Sequence, residues 1–175
     1  GMQRLALTVA DGDAVDGDPD RAAILADAAH IAVQHEIVAI GAALGRKLLT
    51  HVSDVMRSGD AVPRVLPEAS FSELMREMSA KGLGSAAVVD GAGQVLGIFT
   101  DGDLRRRIEA GADLRTATAA QVMHATPRRI APDALAVNAA EMMETHGITS
   151  VRVVGANGTL EGVVHIRDLM RAKVI

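Results

Sequence analysis

Shifting the chain by 65 positions lays residues 65–107 on residues 130–172 without a gap, and twelve of the 43 aligned residues are identical. The identities include Pro67/Pro132, Met78/Met143, Gly82/Gly147, Ser85/Ser150, Gly97/Gly162, Asp103/Asp168 and Arg106/Arg171. Just upstream, Asp54-Val55-Met56 answers Gln121-Val122-Met123 with a two-residue slip. A period this long, present only twice, describes a duplicated domain and not a solenoid.

Each copy reads as β-α-β-β-α. A short apolar strand around residues 64–66 (129–131 in the second copy) precedes a turn with Pro and an acidic residue. A helix follows, opened in the first copy by Ser70 with Glu73 three residues on, the pattern of a capping box. Its apolar stripe is Phe71, Leu74, Met75 and Met78, answered by Ala136, Ala139, Ala140 and Met143. Gly82 and Gly147 stand where a helix C-cap belongs. Two strands joined by a hairpin-like turn come next, over 85–89 and 94–100, then over 150–154 and 159–165. A second helix closes each copy, over 101–110 and 166–173.

Composition removes several functions. With no cysteine, thiol catalysis, disulfides and Cys-based zinc sites are excluded. Two Phe with no Trp or Tyr leave no stacking platform for single-stranded nucleic acid, and a net charge of -4 does not suit a phosphate-backbone binder. The six histidines show no metal-ligand spacing. Residues 11–20, DGDAVDGDPD, have a calcium-loop flavour but the wrong ligand order and no closing Glu, so an acidic linker is expected there. No run of about 18 apolar residues and no signal peptide is seen, and a soluble cytoplasmic protein is expected.

The doubled β-α-β-β-α order, with copies ending in Gly-Ile-Phe-Thr-Asp-Gly-Asp-Leu and Gly-Val-Val-His-Ile-Arg-Asp-Leu, resembles the tandem cystathionine-β-synthase-type (CBS) domain pair. The resemblance implies an α+β fold, two CBS domains related by a pseudo-two-fold axis, with ligand clefts between them. The segment Gly41-Ala42-Ala43-Leu44-Gly45-Arg46-Lys47-Leu48-Leu49, the following Asp54-Val55-Met56 and the FTDGDLRRR run are further similar to arabinose-5-phosphate isomerases. In that family a sugar-isomerase (SIS) domain runs through such a segment into a CBS pair. The family's active-site His-Pro before this segment is replaced here by Ala39-Ile40, and no piece of a SIS domain is recognisable upstream. Isomerase activity is therefore not expected of this chain, which is read as a regulator either cut from or separate from such an enzyme.

The resemblance also implies site residues. The CBS signature is Gly, two apolar residues, Thr or Ser, two residues, then Asp, and Gly97, Thr100 and Asp103 supply it. A hydroxyl at a helix N-terminus donates to phosphate there, and a carboxylate accepts from ribose hydroxyls. Thr100-x-x-Asp103 is equally a capping box that needs no ligand. Asp101 lies between them. Arg105, Arg106 and Arg107 crowd the first turns of that helix, where the dipole disfavours cations; they meet an anion or form a solvated face. The second copy keeps Gly162 and Asp168, flanked by Arg167, but has His165 in place of Thr, either a pH-sensitive phosphate contact or a half-buried structural histidine. The clefts are expected to be unequal, with the Thr100 side the better nucleotide site. Arg64 and Arg129 begin equivalent strands, placed to reach the clefts or to stay on the surface.

Asp18-Pro19 makes a helix start, and Ile24, Leu25, Ala28, Ile31, His35 and Val38 share one face. The expected organisation is a linker and amphipathic helix over 1–48, one CBS domain over 49–112 and a second over 113–175. The expected function is sensing of a nucleotide-type effector, either an adenine nucleotide (AMP, ADP or ATP) or CMP-Kdo, the activated lipopolysaccharide sugar acid downstream of arabinose 5-phosphate. That signal would modulate a SIS-type isomerase, with the chain itself a homodimer that requires no cofactor or metal. The alternative is a ligand-free oligomerisation module.

Overall fold

The computed structural model describes residues 28, 30–39, 41, 45 and 48–175. The chain divides into two compact units at residues 43 and 44. In the first, residues 30–39 are helical, as expected for the amphipathic stretch; Asp18, Pro19, Ile24 and Leu25 lie outside the described residues.

The second unit carries both repeats. In the first copy a short helix α1 (Val52–Val55) leads to β1 (Arg57–Ser58), a 3-10 turn, β2 (Arg64–Val65), α2 (Phe71–Lys81), β3 (Ser85–Val89), β4 (Val95–Thr100) and α3 (Asp101–Glu109). In the second copy α4 (Ala119–Val122) precedes β5 (Arg129–Ile130), α5 (Ala136–His146), β6 (Ser150–Val154), β7 (Leu160–His165) and α6 (Ile166–Arg171). Ser70 and Glu73 close the capping box of α2, whereas Leu135 leaves α5 without a side-chain cap. Gly82 (φ 63°) and Gly147 (φ 59°) end these helices in the left-handed region, where a Cβ is disfavoured.

β2, β3 and β4 form one sheet, and β1, β7, β6 and β5 the other. The first strand of each repeat runs parallel to the next (β2 to β3, β5 to β6), and each hairpin is antiparallel. β3 is buried along its whole length because both faces are covered. Ala86 and Val88 face the helices with Leu74, Met78 and Phe99. Ala87 and Val89 lie on the opposite face, where they pack with Val95 of β4 and with Val154 of the other copy.

The segments that open the two repeats are exchanged. α1 joins the second copy's core, where Val52 packs with Ala136, Met143 and Leu169, and the Val52 N–H donates to the Ala134 carbonyl at 2.8 Å. β1 pairs antiparallel with β7 in that copy's sheet. Reciprocally, Ala119 and Val122 of α4 join the first copy's core, and the Ala119 N–H donates to the Ala69 carbonyl at 2.8 Å. His124 bridges Ile98 of β4 as Arg57 pairs with Val163 of β7. The signature glycines follow from this. A Cβ on Gly97 would lie 2.8 Å from the His124 carbonyl oxygen, and one on Gly162 2.6 Å from that of Arg57. No described helix is long and apolar enough to cross a membrane.

Candidate functional site

A cavity of about 620 Å³ opens between the copies, at the N-terminus of α3. Ser85, Ile98, Thr100, Asp101, Gly102 and Arg106 line it from the first copy's strands and helix. His124, Thr126, Arg128, His146 and Ser150 complete it from the connecting segment and the second copy. Arg106 and Arg128 line it with one carboxylate, Asp101. Arg106 is shared with Asp103 behind it, so the wall offers an anionic occupant guanidinium donors, with Arg128 the cation not already paired to Asp103. The volume falls within the usual range for small-molecule sites, about 300–1,000 Å³.

Thr100 caps α3. Its hydroxyl accepts from the Asp103 N–H at 3.2 Å, and its own N–H donates to the Asp103 carboxylate at 2.9 Å. Arg106 donates to the other carboxylate oxygen at 2.6 Å. Burial raises the Asp103 pKa, but hydrogen bonds from Thr100 and Arg106 together outweigh it and hold the carboxyl below its ordinary value. A depressed folded-state pKa contributes stability above the ordinary 3.8, lost as pH falls through the folded value. Between about pH 6 and about pH 2.5 the wild-type urea midpoint should therefore fall further than that of Asp103→Asn. Equal slopes would show that the cap does not hold the ionised form.

The cavity brings together Thr100, Asp101 and Arg106 among the residues singled out from sequence. Asp103 lies behind them, lining a smaller hollow with Arg107. Arg107 does not face the cavity's anion-favouring wall; it donates to the Gln121 and Val122 carbonyls and so caps the C-terminal end of α4. Arg64 is exposed on β2, and Arg129 donates to the Val95 carbonyl at 3.2 Å, bridging the two copies. Neither lines this cavity.

The second copy's equivalents are arranged differently. Asp168 is buried and receives a two-pronged bond from Arg57, at 2.9 Å and 3.0 Å. His165 caps α6, its Nδ1 accepting from the Arg167 N–H at 3.1 Å, while Arg167 itself is exposed. Desolvation, with Arg167 and Arg57 nearby, lowers the His165 pKa against the opposing pull of Asp168, which disfavours a cationic phosphate contact near neutral pH. Val62, Leu83 and Val163 pack together on this side. The difference traces to one pair of equivalent positions: Arg57 reaches Asp168, while His124 stands beside Asp103.

Several lining residues carried no sequence signal of a site. Thr126 and Arg128 sit in a loop before the aligned repeat, and His146 ends α5 where Lys81 ends α2, a helix-end position with no motif of its own. Among the described residues no group of three or more His, Asp or Glu is placed to hold a metal.

The CBS-domain family model matches residues 52–110 and 119–175. The chain belongs to the CBS-domain family. Its curated relatives include arabinose 5-phosphate isomerase KdsD of Yersinia pestis, 44% identical over 135 residues, which are 77% of this chain and 41% of that protein. The chain thus spans less than half the length of such relatives. Among solved structures, the putative acetoin utilization protein AcuB of Vibrio cholerae shares the fold, with a TM-score of 0.64 at 24% identity over 73% of this chain and 92% of that one. The CBS domain protein PAE2072 of Pyrobaculum aerophilum, complexed with AMP, matches with a TM-score of 0.60 at 25% identity, covering 68% of this chain and 89% of that one. The described part of this chain beyond residue 52 is therefore a tandem CBS pair.

Proposed function

We propose that this CBS pair is a ligand sensor whose cavity beside Thr100 takes a nucleotide-type effector. The observation that carries the reading is the cavity itself, built on the N-terminus of α3 and walled by Arg106 and Arg128. The helix terminus and both guanidinium groups favour phosphate. The AMP named for the Pyrobaculum aerophilum protein supports the ligand class. The KdsD relatives support an arabinose-5-phosphate isomerase as the enzyme that the effector modulates, in the same chain or as a partner. CMP-Kdo, bearing a phosphate and a carboxylate, is the second candidate effector. In this reading the module pairs with a second copy, and light scattering measures that state.

The test is thermal unfolding of wild type and Arg128→Ala with AMP, ADP, ATP, CMP and CMP-Kdo. A ligand at a hundred times its dissociation constant adds about 2.7 kcal/mol. A ligand-specific rise in Tm that shrinks in Arg128→Ala supports the sensor and names its signal. A flat response to the whole panel overturns it in favour of an oligomerisation module.

A further inference from the structure

Arg152, in the middle of β6, is fully buried. It occupies the position that Ala87 holds in the first copy, within a Ser-Val-Arg-Val-Val strand that is otherwise apolar apart from its first residue. Among the described residues it makes no ion pair, and its Nε has no hydrogen-bond partner. Its guanidinium ends on two serines, donating to the Ser85 hydroxyl at 2.7 Å and to that of Ser150 at 3.5 Å. Desolvation lowers its pKa to about 10, which still leaves it a cation near neutral pH. A buried cation without a counter-charge is costly.

Ser85 and Ser150 are repeat equivalents from the two copies, with hydroxyls 3.3 Å apart. Both line the cavity, and Ser85 is the cross-strand partner of Thr100. Each hydroxyl that accepts from Arg152 keeps its own hydrogen to donate, and the acceptors inside the protein are all long: the other serine of the pair at 3.3 Å, with either one donating, and for Ser85 also the Leu83 carbonyl at 3.4 Å. The missing negative charge can thus be supplied from the cavity, across the serine pair.

We propose that the floor of this cavity is an anion subsite, in which Ser85 and Ser150 donate to a phosphate or carboxylate group of the ligand and Arg152 supplies the buried counter-charge behind them. The inference rests on the ligand-sensing reading for the identity of the whole ligand, but the subsite binds an anion by its own chemistry. It also accounts for the arginine: a residue that burdens the empty protein is repaid in the bound one.

The probes are pyrophosphate against chloride at matched ionic strength, and AMP against adenosine, on wild type, Arg152→Met and Ser150→Ala. Arg152→Met should melt at or above wild type when empty, and pyrophosphate should stabilise wild type but not this variant. Ser150→Ala, which removes only a hydroxyl, should weaken the pyrophosphate response and keeps the test valid if Arg152→Met does not fold. Wild type should prefer AMP to adenosine by about tenfold, the value of one charge-assisted contact, and Arg152→Met should lose that preference while still binding adenosine. An unchanged pyrophosphate response in both variants overturns the subsite, as does equal nucleotide binding by wild type and Arg152→Met, though this second result leaves the sensor standing. A pyrophosphate response confined to wild type, with neither AMP nor adenosine bound, keeps the subsite and removes the adenine-nucleotide reading. No response to any probe removes the subsite and the adenine-nucleotide reading together.

Discussion

Arg57→Ala should lower the unfolding free energy by about 2–3 kcal/mol, far more than Arg106→Ala, although both remove an arginine from a helix-capping aspartate of the repeat. Asp168 is only 7% exposed and takes both arms of the Arg57 guanidinium. Without them its one remaining donor is the His165 N–H at 3.3 Å. Breaking such a buried pair from one side costs about 3–5 kcal/mol, because the other charge is stranded. The Arg57 side chain is 29% exposed, and water reaching the gap brings the figure down. Arg106 is 68% exposed, and its bond to Asp103 spans a single helical turn, so its loss should cost less than about 1 kcal/mol. Urea unfolding of the two variants measures the difference. Equal costs would mean that Arg57 does not hold the exchanged strand β1 in the second sheet. Because Arg57 also occupies Asp168, the same result bears on the inequality of the two clefts.

The repeat made the hairpin strands and long helices legible, since each keeps an apolar pattern over five or more residues, and it placed the two-residue strands β2 and β5 by aligning them with each other. β1 was not legible. Two residues have no period, and Arg57 pairs with Val163, more than a hundred residues away. The exchange of α1 and α4 was hidden for the same reason, although the two-residue slip between Met56 and Met123 marks the segments that take part. At the site, Thr100, Asp101 and Arg106 could be read because a helix start has local grammar. The facing wall could not: Thr126, Arg128 and His146 come from stretches whose placement depends on how the copies dock. Arg152 was not singled out, because what makes its place unusual is a contact with Ser85, 67 residues away on another strand.

Phe99→Ala should cost about 3–5 kcal/mol, the usual range for emptying a buried phenylalanine site. Phe99 is completely buried in β4 and packs with Leu74, Met78, Ala86, Val88, Ala119 and Val122. Its ring meets that of Phe71 edge-on, with centroids 5.8 Å apart and planes at 86°. These are the only two aromatic rings apart from histidine in the chain, and both serve the first copy. The repeat puts Val164 and Ala136 at their positions in the second copy, so that core is filled by smaller side chains around Met143 and Leu169. Val164→Ala removes fewer atoms and should cost correspondingly less. Phe99 also stands between Ile98 and Thr100, both of which line the cavity, so its loss should reduce ligand stabilisation as well. The exchanged segments tie the cores together, and the destabilised protein should therefore unfold in one transition. A separate early transition confined to the first copy would show that α4 and the His124–Ile98 bridge do not couple the two domains, while a cost below about 1 kcal/mol would contradict the packing of Phe99 itself.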